Sequence, residues 1–195
     1  MVETLINSLR IYQKTLISFS VMDIYKECNM NRLIICRGLP ASGKTTWAKE
    51  WVMEDPEHRI RINLDDIRSM LGKYWVPARE PVVSAIQQEA ILAAMNFGVD
   101  IVIDNTNLNR KVVDAYVKVA EKFKYTVEYK DFFNVPLVEC INRNVNRNAS
   151  IPEDVQIPND VIFSMHELYK DIYNLKVLNC DVEYEKNKMD CRSEE

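Results

Sequence analysis

Glycine is scarce in this chain, with only four in 195 residues, so a loop that holds two of them together stands out. Other absences narrow the function classes. The five cysteines (Cys28, Cys36, Cys140, Cys180 and Cys191) are scattered, odd in number and form no C-x-x-C pair. That pattern argues against a disulfide framework or a zinc site and favours a reducing compartment, the cytoplasm. The two histidines, His58 and His166, are too far apart to suggest a metal cluster. No apolar run approaches the roughly 20 residues that span a bilayer, and polar residues interrupt the first segment too often for a secretory signal. A basic excess is missing as well. The net charge is −4, and residues 181–195, with six acidic and three basic side chains, carry −3 of it. A body this close to neutral has no broad basic face for gripping duplex nucleic acid, although a local arginine cluster can still hold a strand end. What remains, 47% hydrophobic and 28% charged residues, suits one soluble globular domain with tails.

The two clustered glycines lie in Gly38-Leu39-Pro40-Ala41-Ser42-Gly43-Lys44-Thr45, which fits the phosphate-loop pattern G-x-x-x-x-G-K-[ST] at every fixed position. The apolar run Leu33-Ile34-Ile35-Cys36 before it reads as a buried strand, and residues 46–52 after it read as a helix. In that context glycines let successive backbone N–H groups of the loop turn inward around phosphates, and the helix N-terminus adds partial positive charge. Lys44 would reach the β- and γ-phosphates, and the Thr45 hydroxyl would hold Mg²⁺.

Farther along, the alternation of residues 59–64 predicts a second strand ending at Asp65-Asp66-Ile67-Arg68. Ligands of open α/β sheets bind beyond the carboxyl ends of the strands, where Asp65 falls. A carboxylate there can accept the proton of an attacking hydroxyl, and Arg68 would share its helix face. The alternative is that Asp65 or Asp66 caps the helix. Residues 78–97 predict a long helix whose apolar face is Val83, Ile86, Ala90, Ala93 and Phe97, stopped by Gly98. A third strand over 99–103 ends in Asp104-Asn105-Thr106-Asn107-Leu108-Asn109, and an apolar strand ending in Asp is the minimal Walker B form supporting Mg²⁺ or its water. An Asx-rich turn leading into the next helix is the competing reading, strongest for Asn109.

A helix over residues 112–123, a strand over 126–133 and a helix opening at 134–136, with Leu137, Val138, Ile141 and Val145 facing inward, complete the alternation. Arg143 and Arg147 lie a turn apart on that last helix, where bidentate guanidinium groups suit the charge of a transferring phosphoryl group; a solvated face is the bland alternative. A final helix runs from 158 to about 175. The expected architecture is α/β: a four- to five-stranded, mostly parallel sheet flanked by helices, with a helical lid at about 136–150. Residues 1–30 are expected to be an accessory extension that activity does not need, 31–178 the catalytic domain, and 179–195 an acidic, disordered tail.

Taken together, these pieces resemble the kinase half of the bacteriophage polynucleotide 5′-kinase/3′-phosphatase family, a branch of the P-loop NTPases. The segments that carry the resemblance are GLPASGKTTW at 38–47, NLDDIR at 63–68, TNLN at 106–109, RNVNR at 143–147 and IPNDVIFSM at 157–165. The resemblance implies ATP- and Mg²⁺-dependent phosphorylation of a 5′-hydroxyl end of DNA or RNA. It makes Asp65 the general base, Arg68 the contact to the phosphate flanking the acceptor nucleoside, and Thr106 and Asn107 further acceptor-side residues. It places the loop residues Gly38, Pro40, Ala41, Ser42, Gly43, Lys44, Thr45 and Thr46 on ATP, and the lid residues Arg143 and Arg147 over the donor phosphates. Two departures are visible: Asn105 stands where the family has Asp before Thr-Asn, the acid lying one place earlier at Asp104, and the stretch between Arg147 and Pro158 is longer. No D-x-D-G-T phosphatase motif occurs in the sequence, so 3′-end healing is not expected of it. The other readings are a kinase of a small metabolite, antibiotic or nucleotide-sugar on the same scaffold, and an ATP-binding switch or adaptor.

Overall fold

A computed structural model describes residues 31–173, so the expectations for the N-terminal extension and the acidic tail fall outside the described residues. Strand β1 (Arg32–Arg37) is a continuous apolar run because it is buried on both faces. Leu33 and Ile35 point into one core cluster, and Ile34 and Cys36 into another on the opposite face of the sheet. Helix α1 (Lys44–Met53) follows the phosphate loop, then β2 (Arg59–Ile62), α2 (Leu64–Met70), a 3₁₀ turn (Pro77–Arg79) and α3 (Glu80–Phe97). Next come β3 (Asp100–Ile103), α4 (Arg110–Lys122), β4 (Thr126–Asp131), α5 (Leu137–Asn148), a 3₁₀ turn (Glu153–Val155) and α6 (Asn159–Tyr173).

Among the described residues the sheet has four strands in the order β2-β3-β1-β4, every pair parallel. Ile34 lies opposite Val102 and Glu128, and Ile62 opposite Ile103. The connection from β1 leaves toward β2 while that from β3 leaves toward β4. The carboxyl ends of β1 and β3, neighbours in the sheet, are therefore the point where connections diverge, and open α/β sheets bind ligands there. Helices α3 and α4 cover one face through Ile91, Met95, Val113, Tyr116 and Ala120, and α1 covers the other through Ala48 and Trp51. A third cluster, Leu39, Leu108, Leu137, Cys140, Ile141 and Ile162, packs α5 and α6 against the loops at the strand ends. No helix among the described residues is long and apolar enough to cross a membrane.

Two inward faces differ from the sequence expectation. On α3 the buried side chains are Val83, Gln87, Ile91, Ala94 and Met95, and Phe97 is 76% exposed. The reason is the buried hydroxyl of Tyr116, which donates to Gln87 Oε1 at 2.8 Å; a polar side chain thus occupies a core position that an apolar pattern passes over. On α5 Val145 is exposed and Asn144 is fully buried. The Asn144 amide donates to the Ile157 carbonyl and to Asn159 Oδ1, both at 2.8 Å, tying the lid helix to the start of α6.

Candidate active site

The phosphate loop leaves β1 through backbone shapes that few side chains tolerate. Gly43 has φ of 103° immediately before α1. A Cβ on Gly38 would meet Phe132 Cβ and Ser42 Oγ at 3.0 Å each. The Gly38 N–H donates to the Thr106 carbonyl at 3.0 Å, fastening the loop to the end of β3. No side chain caps α1 and its first turn holds no acid, so the helix N-terminus faces the loop with its positive end uncompensated. Lys44 is 6% exposed. Its ammonium group donates to the carbonyls of Gly38 (3.0 Å) and Leu39 (2.6 Å) and to Ser42 Oγ (3.3 Å). Burial pulls its pKa down to about 8, with the charge of Asp104 acting in the opposite direction.

Asp104, at the end of β3, is 1% exposed. Its Oδ2 accepts from Arg61 Nε at 2.7 Å, a pair buried on the Asp104 side and half-buried on the Arg61 side. Burial raises its pKa, while hydrogen bonding to Arg61 and to the Thr45 side chain holds it down. Oδ1 is buried and makes no hydrogen bond of normal geometry. A carboxylate oxygen left open beside a threonine hydroxyl, at the mouth of a phosphate cradle, is a donor set that fits a Mg²⁺ ion retaining several of its waters.

On α2 the structure removes the capping reading of the paired acids. Asn63 is the cap: its Oδ1 accepts from the N–H groups of Asp65 (2.8 Å) and Asp66 (3.1 Å), and its amide donates to the Asp104 carbonyl. Neither Asp side chain is needed for capping, and the two diverge. Asp66 accepts from Arg61 Nη1 on the side of Asp104, whereas Asp65 accepts from Arg68 Nη1, each at 2.5 Å. The Asp65 side chain is 51% exposed, and its negative charge reaches both Lys44 and Tyr74. Arg68 is held on its other edge by Glu80, with Nε donating to Oε1 at 2.9 Å and Nη2 to Oε2 at 2.7 Å. Glu80 first and Asp65 after it hold the guanidinium pKa above its ordinary value.

The remaining expected site residues divide by what they touch. Asn107, buried and with φ of 46°, donates its amide to the carbonyls of Cys36 (2.7 Å) and Ile103 (3.2 Å), so it fastens the ends of β1 and β3 together. Thr106 contributes its carbonyl to Gly38, and Asn109 caps α4 through a bond from the Lys111 N–H at 3.0 Å. Arg143 reaches back over the phosphate loop: Nη1 lies 3.5 Å from the Ser42 carbonyl, while Nε donates to Glu139 at 2.7 Å. Arg147, one turn later, is drawn to Asn144 Oδ1 at 2.5 Å, and its Nε is buried without a partner. Only one of the two lid arginines therefore touches the loop.

A family model for the AAA domain matches residues 33–172. The chain belongs to this AAA-domain family. Its P-loop kinase fold is shared with solved structures: a chain of the Pnkp1/Rnl/Hen1 RNA repair complex superposes with a TM-score of 0.63 at 22% identity, covering 76% of this chain and 48% of that one. A chain of the PezAT toxin–antitoxin system of Streptococcus pneumoniae superposes with a TM-score of 0.53 at 16% identity, covering 70% and 60%. Among curated proteins it is similar to a bifunctional polynucleotide kinase/RNA ligase of Autographa californica nuclear polyhedrosis virus, at 26% identity over 62% of this chain and 19% of that protein. The AAA-domain chain thus spans about a fifth of that curated relative and about half of the chain from the repair complex.

Sequence reasoning passed over several residues that shape the site of this AAA domain. Asn63 was legible as an Asn just before an acidic first turn, the usual cap signature. Arg61 carries no such signal, because an arginine alternating with isoleucines reads only as the polar face of a strand, and its pairing with Asp104 needs the β2–β3 register. Glu80 lies twelve residues from Arg68 and meets it only because the segment between them doubles back.

Proposed function

We propose that this AAA domain transfers the γ-phosphate of ATP to the 5′-hydroxyl end of a DNA or RNA strand. The observation that carries the reading is Asp65: a half-exposed carboxylate on the first turn of α2, close enough to the phosphate cradle for its charge to act on Lys44, and paired with a cation. In this reading Asp65 hydrogen-bonds the incoming 5′-hydroxyl and accepts its proton as the oxygen attacks. Arg68 holds the phosphate on the 3′ side of the acceptor nucleoside. Three of its five N–H groups are taken by Asp65 and Glu80 and another is drawn to the Tyr74 oxygen, which leaves one for a phosphate oxygen.

On the donor side, the loop N–H groups and the α1 N-terminus bind the phosphates, and Lys44 exchanges its contacts with the Gly38 and Leu39 carbonyls for donor oxygens. Thr45 and the open oxygen of Asp104 would hold Mg²⁺, the latter directly or through a water; when bound, the ion neutralises charge on the donor phosphates. Arg143 covers the loop, and Arg147 would join it by leaving Asn144 as the lid closes. Thr106 and Asn107 line the acceptor side at the end of β3, with Asn107 acting there through the backbone it ties together. The names of the viral relative and of the repair complex support a nucleic-acid acceptor.

The test is transfer of labelled γ-phosphate from ATP to short 5′-hydroxyl DNA and RNA oligonucleotides, with Lys44→Ala and Asp65→Asn as controls. Labelled oligonucleotide that disappears in both variants is the expected result. Label arriving instead on a nucleoside, sugar or other small alcohol would replace this reading with that of a small-molecule kinase.

A further inference from the structure

Trp75 is more than half exposed, at 53%, in the loop between α2 and the 3₁₀ turn. An indole left open to water forgoes the favourable burial such a side chain usually finds. Floppiness of the loop is a poor explanation, because its backbone is held: Arg79 Nη1 donates to the Leu71 carbonyl at 2.5 Å and Nη2 to the Lys73 carbonyl at 3.3 Å, and the Arg79 N–H donates to the Val76 carbonyl at 2.8 Å. The ring is also tied to the candidate base. The Arg68 guanidinium lies over it, 5.2 Å from the ring centroid, and the same guanidinium holds Asp65 on one edge and Glu80 on the other.

The geometry points to Trp75 as a stacking platform for a nucleobase at the 5′ end of the acceptor strand. This inference rests on the polynucleotide reading above and deepens it by naming what the acceptor must carry. A strand end presents a flat, apolar-faced base and an anionic phosphate side by side. Here a half-exposed indole and the guanidinium that lies over it stand together, and the same guanidinium holds the carboxylate that would take the hydroxyl proton. Lys73, exposed two residues before Trp75, adds a second cation for the backbone. A sugar or small alcohol has nothing to place on the ring. A base already buried in a duplex stack has to leave it to reach Trp75, so unpaired 5′ ends are the favoured acceptors.

The experiment compares two 5′-hydroxyl oligonucleotides, one with ordinary bases and one abasic at its first two positions, in wild type, Trp75→Phe and Trp75→Ala. Each variant is checked for an unchanged thermal midpoint. Stacking predicts that Trp75→Ala raises KM for the ordinary oligonucleotide between about five-fold and about 150-fold, equivalent to about 1–3 kcal/mol at 1.4 kcal/mol per decade. It also predicts that Trp75→Phe restores most of the loss and that the abasic acceptor gives one KM in all three proteins. Equal effects on both acceptors, or none on either, overturn the inference while leaving the kinase reading intact. Should wild type phosphorylate no oligonucleotide, the kinase reading fails. The inference is then judged by indole emission on adding the ordinary oligonucleotide: quenching that is present in wild type and lost in Trp75→Phe upholds stacking, and unchanged emission overturns it.

Discussion

In the proposed reading, the donor side of the site and its acceptor side are built from opposite materials. Around the phosphate loop the polar groups are withdrawn from water: Ser42, Lys44, Asp104 and Asn107 are all buried, and each is held by main-chain carbonyls or by a charged side chain. Along α2 and the loop after it, Asp65, Asp66 and Trp75 stand exposed, each in contact with an arginine that is itself largely covered. A buried cradle suits a donor whose triphosphate is the same at every turnover, because low dielectric strengthens each contact and the geometry is fixed in advance. An exposed shelf suits an acceptor that is one end of a long chain and has to slide in and out. The price of the first arrangement is stability, since buried charges have to be paired.

That contrast is sharpened most by removing the partner of a buried charge. Arg61→Met leaves Asp104 in the interior without its ion pair, and the expected loss is about 3–5 kcal/mol at neutral pH, read by urea unfolding. Because burial already raises the Asp104 pKa, its contribution to stability is full below the ordinary carboxylate range and falls as pH rises through the folded value. The deficit of the variant therefore shrinks toward acid, where Asp104 is protonated; a deficit that is constant with pH would break the account. Lys44 makes the converse test. Its pKa is lowered from 10.5 to about 8, so its contribution is full above 10.5 and is lost as pH falls through 8. Between those limits wild type should gain roughly 3 kcal/mol that Lys44→Met does not, measured as the difference between their unfolding curves at about pH 7.5 and about pH 10.5.

The acceptor side should respond weakly in stability and strongly in function. Glu80→Gln weakens the partly exposed pair with Arg68, and the expected cost in stability is below about 1 kcal/mol. Its effect should appear in KM for the oligonucleotide, because Arg68 loses the carboxylate that holds its plane, while KM for ATP stays where it was. A loss of several kcal/mol, or equal changes in both KM values, would erase the distinction between the two sides.

How far the sequence reached follows the same division. The donor cradle was legible because its chemistry is local: strand, loop and helix lie within residues 32–53, and the glycines are needed by backbone shape within that stretch. The positions of Asp65 and Arg68 were legible because a strand end locates them before any contact is known, and their roles belong to the proposed function. The pairing of Arg61 with buried Asp104, the anchoring of α5 by Asn144 and the turned face of α3 depend on partners 13 to 43 residues away. Gln87 and Asn144 sit where hydrophobic patterning expects carbon, Arg61 sits on what reads as a strand's polar face, and only the partner explains each. Trp75 was hidden for the opposite reason, since an isolated exposed aromatic leaves no periodic trace.

The most direct test of the account is to measure ATP binding and phosphoryl transfer side by side in Asp65→Asn and Lys44→Ala. If the donor cradle and the acceptor shelf are separate devices, Asp65→Asn binds MgATP as wild type does while its transfer to a 5′-hydroxyl oligonucleotide falls by about a hundredfold or more, and Lys44→Ala loses both. Parallel loss of binding and transfer in both variants, or normal transfer in Asp65→Asn, would contradict it.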